Sequence, residues 1–148
     1  MDELARAIID RIALEWQRQG HHLTGAFEQA LTYEIDGETI RIYDNKGYGA
    51  ILNKGVPAEQ IPFSPGSGAK ASRYIQGLAN YAKLRMGVND KLALSIAFAI
   101  AYTHKREGMP SKGSVKFSTT GRRTQFVEDS VPEIEQLVDE FVSEKIMA

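Results

Sequence analysis

The chain opens on a four-residue hydrophobic rhythm. Leu4, Ile8, Ile12 and Trp16 recur with charged residues between them, which predicts an amphipathic helix over residues 2–19. Asp2 and Glu3 suit the positive N-terminal end of such a helix, and Gly20 is placed to stop it. Thr24 then offers an N-cap for a short helix with Phe27 and Leu31 on one face. The period changes to two in "LTYEIDGETIRIY", where Asp36-Gly37 separates alternating runs and predicts a hairpin over 32–43. With symmetrical register, Tyr33, Ile35, Ile40 and Ile42 share its inner face.

Glycine and proline interrupt the next stretch. Residues 48–53 fit either a helical turn or a third strand, and residues 55–70 read as a long loop of the kind that is usually functional or ordered by a partner. Helical periodicity returns after Ser72, with Tyr74, Leu78, Tyr81 and Leu84/Arg85 near one stripe. A second helix starts at Asn89 or Asp90 and is apolar nearly all round, as expected of a helix central to a core or buried in an oligomer. A second loop, about 108–124, precedes a last helix. There Ser130 is the expected cap, Pro132 fits the first turn, and Glu133 completes a capping box. Ile134, Leu137, Val138, Phe141 and Val142 form its apolar stripe. The sum is an α/β (α+β) fold, with four to five helices packed on a small antiparallel sheet containing the 32–43 hairpin. A chain of 148 residues suits a single domain, 1–148.

Charge changes the picture more than composition does. The formal net charge is −1, so attraction to a polyanion depends on where the charges sit. Lys105, Arg106, Lys112, Lys116, Arg122 and Arg123 face only Glu107 across their stretch of chain, and the last helix is strongly acidic. Such segments can pair within the molecule, between subunits, or leave the basic part on DNA. Phe117 and Phe126 interrupt the polarity and suit either base stacking or a partner's pocket.

Catalytic signals are weak. The chain has no cysteine, hence no disulfide, thiolate nucleophile or Cys-ligated zinc. "PGSGAKAS" lacks the glycine spacing of a phosphate loop and reads as a lead-in to a helix. His21 and His22 read as solvated loop histidines, with His104 distant in sequence. No Gly-x-Ser-x-Gly elbow is present, and no carboxylate pair stands out. The expectation is a protein without catalytic residues, cofactor or metal. The N-terminus does not read as a signal peptide, and the most apolar run, residues 92–102, falls short of the about 20 residues that span a bilayer. No membrane partner is expected.

Several segments together resemble the tail-completion and head–tail connector (neck) proteins of long-tailed bacteriophages. These are the opening amphipathic helix, the step Leu23-Thr24-Gly25-Ala26-Phe27, the element Tyr48-Gly49-Ala50-Ile51-Leu52-Asn53-Lys54-Gly55, and "AFAIAYTHKREGMPSKGSVKF" with its "REG-x-P" corner. The helical pair between residues 72 and 107 departs from the more compact typical member. The resemblance implies a structural virion protein, made in the host bacterial cytoplasm. It would be one subunit of a six- or twelve-fold ring that joins connector to tail and lets DNA pass. Its implied partners are copies of itself, connector or head-completion proteins, and tail-tube or tail-terminator proteins. Contact with genomic DNA would be non-specific.

Partner-interface residues are expected at Tyr48, Ile51, Pro62, Phe63, Met109, Lys112, Phe117 and Phe126, and DNA- or lumen-facing residues at Lys116, Arg122 and Arg123. The alternative is a small DNA-binding protein that uses the basic 105–123 segment.

Overall fold

The computed structural model describes residues 1–47 and 49–148 and has an α+β fold. Its elements are α1 (Asp2–Arg18), α2 (Ala26–Ala30), β1 (Leu31–Asp36), β2 (Thr39–Asp44), α3 (Gly49–Lys54), α4 (Arg73–Met86), α5 (Asp90–Glu107) and α6 (Phe126–Met147). Short 3-10 turns lie at Ala58–Gln60, Ala69–Ala71 and Lys112–Phe117. The chain groups into two compact units: residues 1–54 with 115–148, and residues 55–114.

In the first unit the expected stripe of α1 forms the floor of the core. Leu4, Ile8, Ile12 and Trp16 are buried together with Phe27 and Phe126. Trp16 stacks on Phe27 at 3.9 Å between ring centroids, and Phe126 meets both rings edge-on at 5.1 and 5.6 Å. The hairpin has the symmetrical register, Tyr33 opposite Ile42 and Ile35 opposite Ile40. Its turn is Gly37-Glu38, one residue later than Asp36-Gly37, because Asp36 still pairs with Thr39. Gly37 has φ 60° at the first central position, the conformation that a two-residue hairpin turn reserves for glycine. Ile40 and Ile42 pack on the core from one side, and Ile134, Leu137, Val138 and Phe141 of α6 do so as well. Val142, expected to share that stripe, is exposed. Residues 49–54 are helical, which decides against a third strand there.

Two helix starts differ from expectation. Helix α2 begins at Ala26 behind Gly25, and Thr24 Oγ1 accepts only a long 3.4 Å bond from the Ala26 N–H. Helix α6 begins at Phe126, four residues before the expected cap. Ser130 is therefore inside it and donates its hydroxyl to Val127 O at 2.6 Å, while Pro132 interrupts the helix interior.

The second unit is an antiparallel pair of helices, α4 and α5, with irregular chain covering one side. Ser72 caps α4 by accepting from Ile75 N–H at 3.1 Å, and Asn89 caps α5 by accepting from Leu92 N–H at 2.9 Å. The buried stripes are made largely of alanine: Ile75, Ala79 and Ala82 face Ala93, Ala97 and Ala101. Small side chains bring two helices close together, so the larger Tyr74 and Leu78 lie at the margin and Leu84 is exposed. Helix α5 is accordingly buried along one stripe, with Leu92 and Tyr102 exposed on others. Ile61 and Phe63 from the irregular segment close the core, and Phe63 meets Tyr102 edge-on at 5.1 Å. No helix among the described residues is long and apolar enough to cross a membrane.

Candidate functional site

The C-terminal end of α1 determines the structure of the second long loop. A helix leaves its last carbonyls without intrahelical partners, and each must find a donor. Gly20, at φ 78°, gives the chain a left-handed turn: its N–H donates to Gln17 O and the next N–H, His21, donates to Trp16 O at 3.1 Å. The remaining carbonyls are met from residues 119–123. Thr119 donates both its N–H and its hydroxyl to Arg18 O, at 2.8 and 2.9 Å. Arg123 donates Nε to Gln19 O at 3.0 Å and Nη2 to Gly20 O at 3.1 Å. A guanidinium at that position also complements the negative end of the helix dipole.

The contacts run in both directions. Gln19 is fully buried and donates Nε2 to Thr124 O and to Asp129 Oδ2. Arg122 pairs with Asp129 through two guanidinium nitrogens, which raises the guanidinium's pKa further. The basic end of the 108–124 loop is thus ordered by its own chain. Arg122 and Arg123, expected to face DNA, are engaged with Asp129 and with the end of α1.

The other expected interface residues are scattered. Phe126 is 1 % exposed at the centre of the first core, and Phe63 is buried in the second, so neither side chain is available to a partner. Each was expected at an interface because an aromatic within a polar stretch of sequence looks exposed, whereas here a turn of the chain carries it inward. Met109 packs at the margin of the second core, and its N–H and C=O pair with Val56 in an isolated bridge. Gly108, at φ 86°, makes this approach possible, since a Cβ there would lie 2.8 Å from Val56 O. Ile51, Pro62, Lys112, Lys116 and Phe117 are exposed, and Lys116 Nζ lies 5.2 Å from the centroid of the Phe117 ring. Tyr48 lies outside the described residues.

Two polar centres were not anticipated. His21 is not a solvated loop residue: its ring packs 4.6 Å from Trp16 and its Nε2 bonds Arg123 O at 2.9 Å. Burial, then the Arg123 charge, pushes its pKa down to about 4. His22 stays at the surface, against Glu28 at 2.6 Å. In the second unit, the Tyr74 hydroxyl lies 2.6 Å from His104 Nδ1. Burial moves Tyr74 up to about 12 and lowers His104, so tyrosine donates and imidazole accepts.

His21 makes the stability pH-dependent. Its folded pKa lies below the ordinary 6.5, so the unfolded chain binds more protons between about pH 6.5 and 4. Stability should fall as pH drops through that window, by on the order of 1–2 kcal/mol after discounting the partly exposed ring for solvent screening, and gain no further dependence from His21 below it. Urea midpoints of the wild type and His21→Gln, compared at pH 7 and pH 4.5, test this. The variant should lose less on acidification, and an equal loss would show that His21 contributes nothing.

Comparison with protein-family models, curated proteins and solved structures finds no match. Charge divides sharply between the two units. Residues 55–114 hold eight Lys and Arg against three acids, a net +5, and residues 1–54 with 115–148 hold ten against sixteen, a net −6.

Proposed function

We propose that this chain is a structural virion protein, one subunit of a ring at a bacteriophage head–tail joint, where connector meets tail and the genome passes. The observation that carries this reading is the division of charge between the two units, set beside the resemblance of the 23–27, 48–55 and 97–117 segments to neck proteins. A subunit with a net +5 body and a net −6 body attracts copies of itself head to tail, and a head-to-tail contact that closes makes a ring. Exposed apolar residues on α6, Val127, Val131, Val142 and Ile146, supply surface for neighbours within such an assembly. Lys112 and Lys116 remain exposed and are among the cations available to passing DNA. DNA contact is secondary in this scheme, because Arg122 and Arg123 are engaged within their own unit.

Electron microscopy of the purified protein, alone and mixed with phage connector and tail-tube proteins, tests the proposal. Rings, or a collar added to the connector or tail tube, are the expected result. A chain that stays monomeric at high concentration and binds neither partner overturns it. Binding to duplex DNA that fails as salt rises, without any assembly, would favour a small DNA-binding protein instead.

A further inference from the structure

The geometry points to a specific contact between copies: the tip of the α4–α5 hairpin of one copy seats in the α1–α6 groove of the next. This rests on the ring-subunit reading and names the surfaces that would build the ring. At the tip, Leu84, Met86 and Leu92 are 52 %, 53 % and 48 % exposed, three large apolar side chains within nine positions. Lys83, Arg85 and Lys91 surround them against a single acid, Asp90, which Lys83 pairs at 2.7 Å. Arg85 lies over the Tyr81 ring at 5.9 Å. The tip is also held in shape before binding. Gly87, at φ 66°, closes α4 through its N–H to Lys83 O, and the Asn89 cap opens α5 two residues later. A rigid apolar knob ringed by positive charge loses little entropy on docking.

The first unit carries a complementary surface. Between α1 and α6 runs an open groove of about 440 Å³, with Ala7, Ala13, Leu14 and Leu137 supplying its apolar lining. Asp10 and Gln17 line it too, and so does Arg11, which lies 3.4 Å from Glu133, a carboxylate shared with Arg18 at 3.0 Å. Glu140 lies one turn beyond Leu137 on α6, and Glu144 one turn further. The groove is therefore mixed, with alanine and leucine side chains beside Asp10, Arg11 and Gln17, and the acids that follow along α6 give its surroundings the charge opposite to the tip. Because the two surfaces differ, the contact is head to tail and propagates from copy to copy.

The absence of cysteine from the chain allows a clean test. Leu84→Cys and Gln17→Cys place single thiols on exposed positions of the tip and the groove. The two full-length variants, mixed at high concentration and low ionic strength under mild oxidation, should give a mixed disulfide dimer well above the dimer from either variant alone. The yield should fall as salt is added. Leu84→Glu in a third, melting-matched protein should weaken self-association by roughly tenfold or more. Equal yields from the single variants and the mixture would overturn the contact, as would self-association unchanged in Leu84→Glu. If the mixture does not cross-link, but charge reversal at Lys83, Arg85 and Lys91 abolishes salt-sensitive binding to a duplex DNA probe, the tip is a polyanion contact and the inference is wrong. The two readings fail separately. Cross-linking into open chains, with no closed rings and no binding to connector or tail tube, would remove the ring assignment and keep the contact; partner binding without cross-linking would do the opposite.

Discussion

Replacing Phe126 with alanine should lower the stability of the protein by roughly 3–5 kcal/mol, a large share of what a domain of this size has. The ring is 1 % exposed and is held edge-on by Trp16 and Phe27, at 5.1 and 5.6 Å between centroids. Truncation removes those contacts and leaves a cavity between α1, α2 and α6, whose walls are helices that cannot collapse far. The control is Phe117→Ala. That ring is 55 % exposed, and its loss should cost about 0.5 kcal/mol or less. Urea unfolding of both variants measures the difference as a midpoint shift at unchanged slope. A Phe126→Ala protein as stable as the wild type would place the ring at a surface, as the sequence pattern suggested, and the core described above would be wrong.

That disagreement shows where local pattern stops carrying information. The α1 stripe, the hairpin register, and the caps at Ser72, Asn89 and Gly20 were all legible, because each depends on residues within a few positions of one another. The start of α6 was not. Its cap comes from residue 53: Asn53 Oδ1 accepts from Val127 N–H at 3.0 Å, and Asn53 O accepts from Gln125 N–H at 2.7 Å. Asn53 also donates Nδ2 to Glu128 at 2.9 Å. With its first N–H groups satisfied from a distance, α6 can begin behind Gln125 at φ 57°, and Ser130 need not cap anything. A serine three residues before an acid is a good local signal, but a tertiary cap outweighed it.

The basic loop was half legible for the same reason. Its charge and its position before an acidic helix were plain in the sequence, and pairing within the molecule was one of the arrangements they allowed. The choice among those arrangements was set by the carbonyls at the end of α1, about a hundred residues away. Thr119 and Arg123 answer that need, and no periodicity in residues 108–124 announces it. The division of charge between the units was hidden as well, since it emerges only once residues 115–148 are grouped with 1–54.

Gly20→Ala should cost roughly 2–4 kcal/mol and release the loop as it does so. Two effects add. At φ 78° any side chain is strained, and a Cβ at this position would overlap the Phe117 carbonyl oxygen and lie 2.9 Å from its carbon. The second contact is with backbone, so no rotamer change relieves it, and the chain at 117–119 has to move. Its movement pulls Thr119 from Arg18 O and leaves a helix carbonyl to water. Gly87→Ala separates the two effects. Gly87 ends α4 at φ 66°, and a Cβ there would meet nothing within 4 Å, so its substitution bears only the conformational cost, about 1 kcal/mol. Thermal or urea unfolding should therefore rank Gly20→Ala well below Gly87→Ala. Amide exchange should quicken at Thr119 in the first variant and stay unchanged there in the second. Equal costs, with Thr119 protected in both, would mean that the loop does not rest on Gly20 and that the end of α1 is capped in some other way.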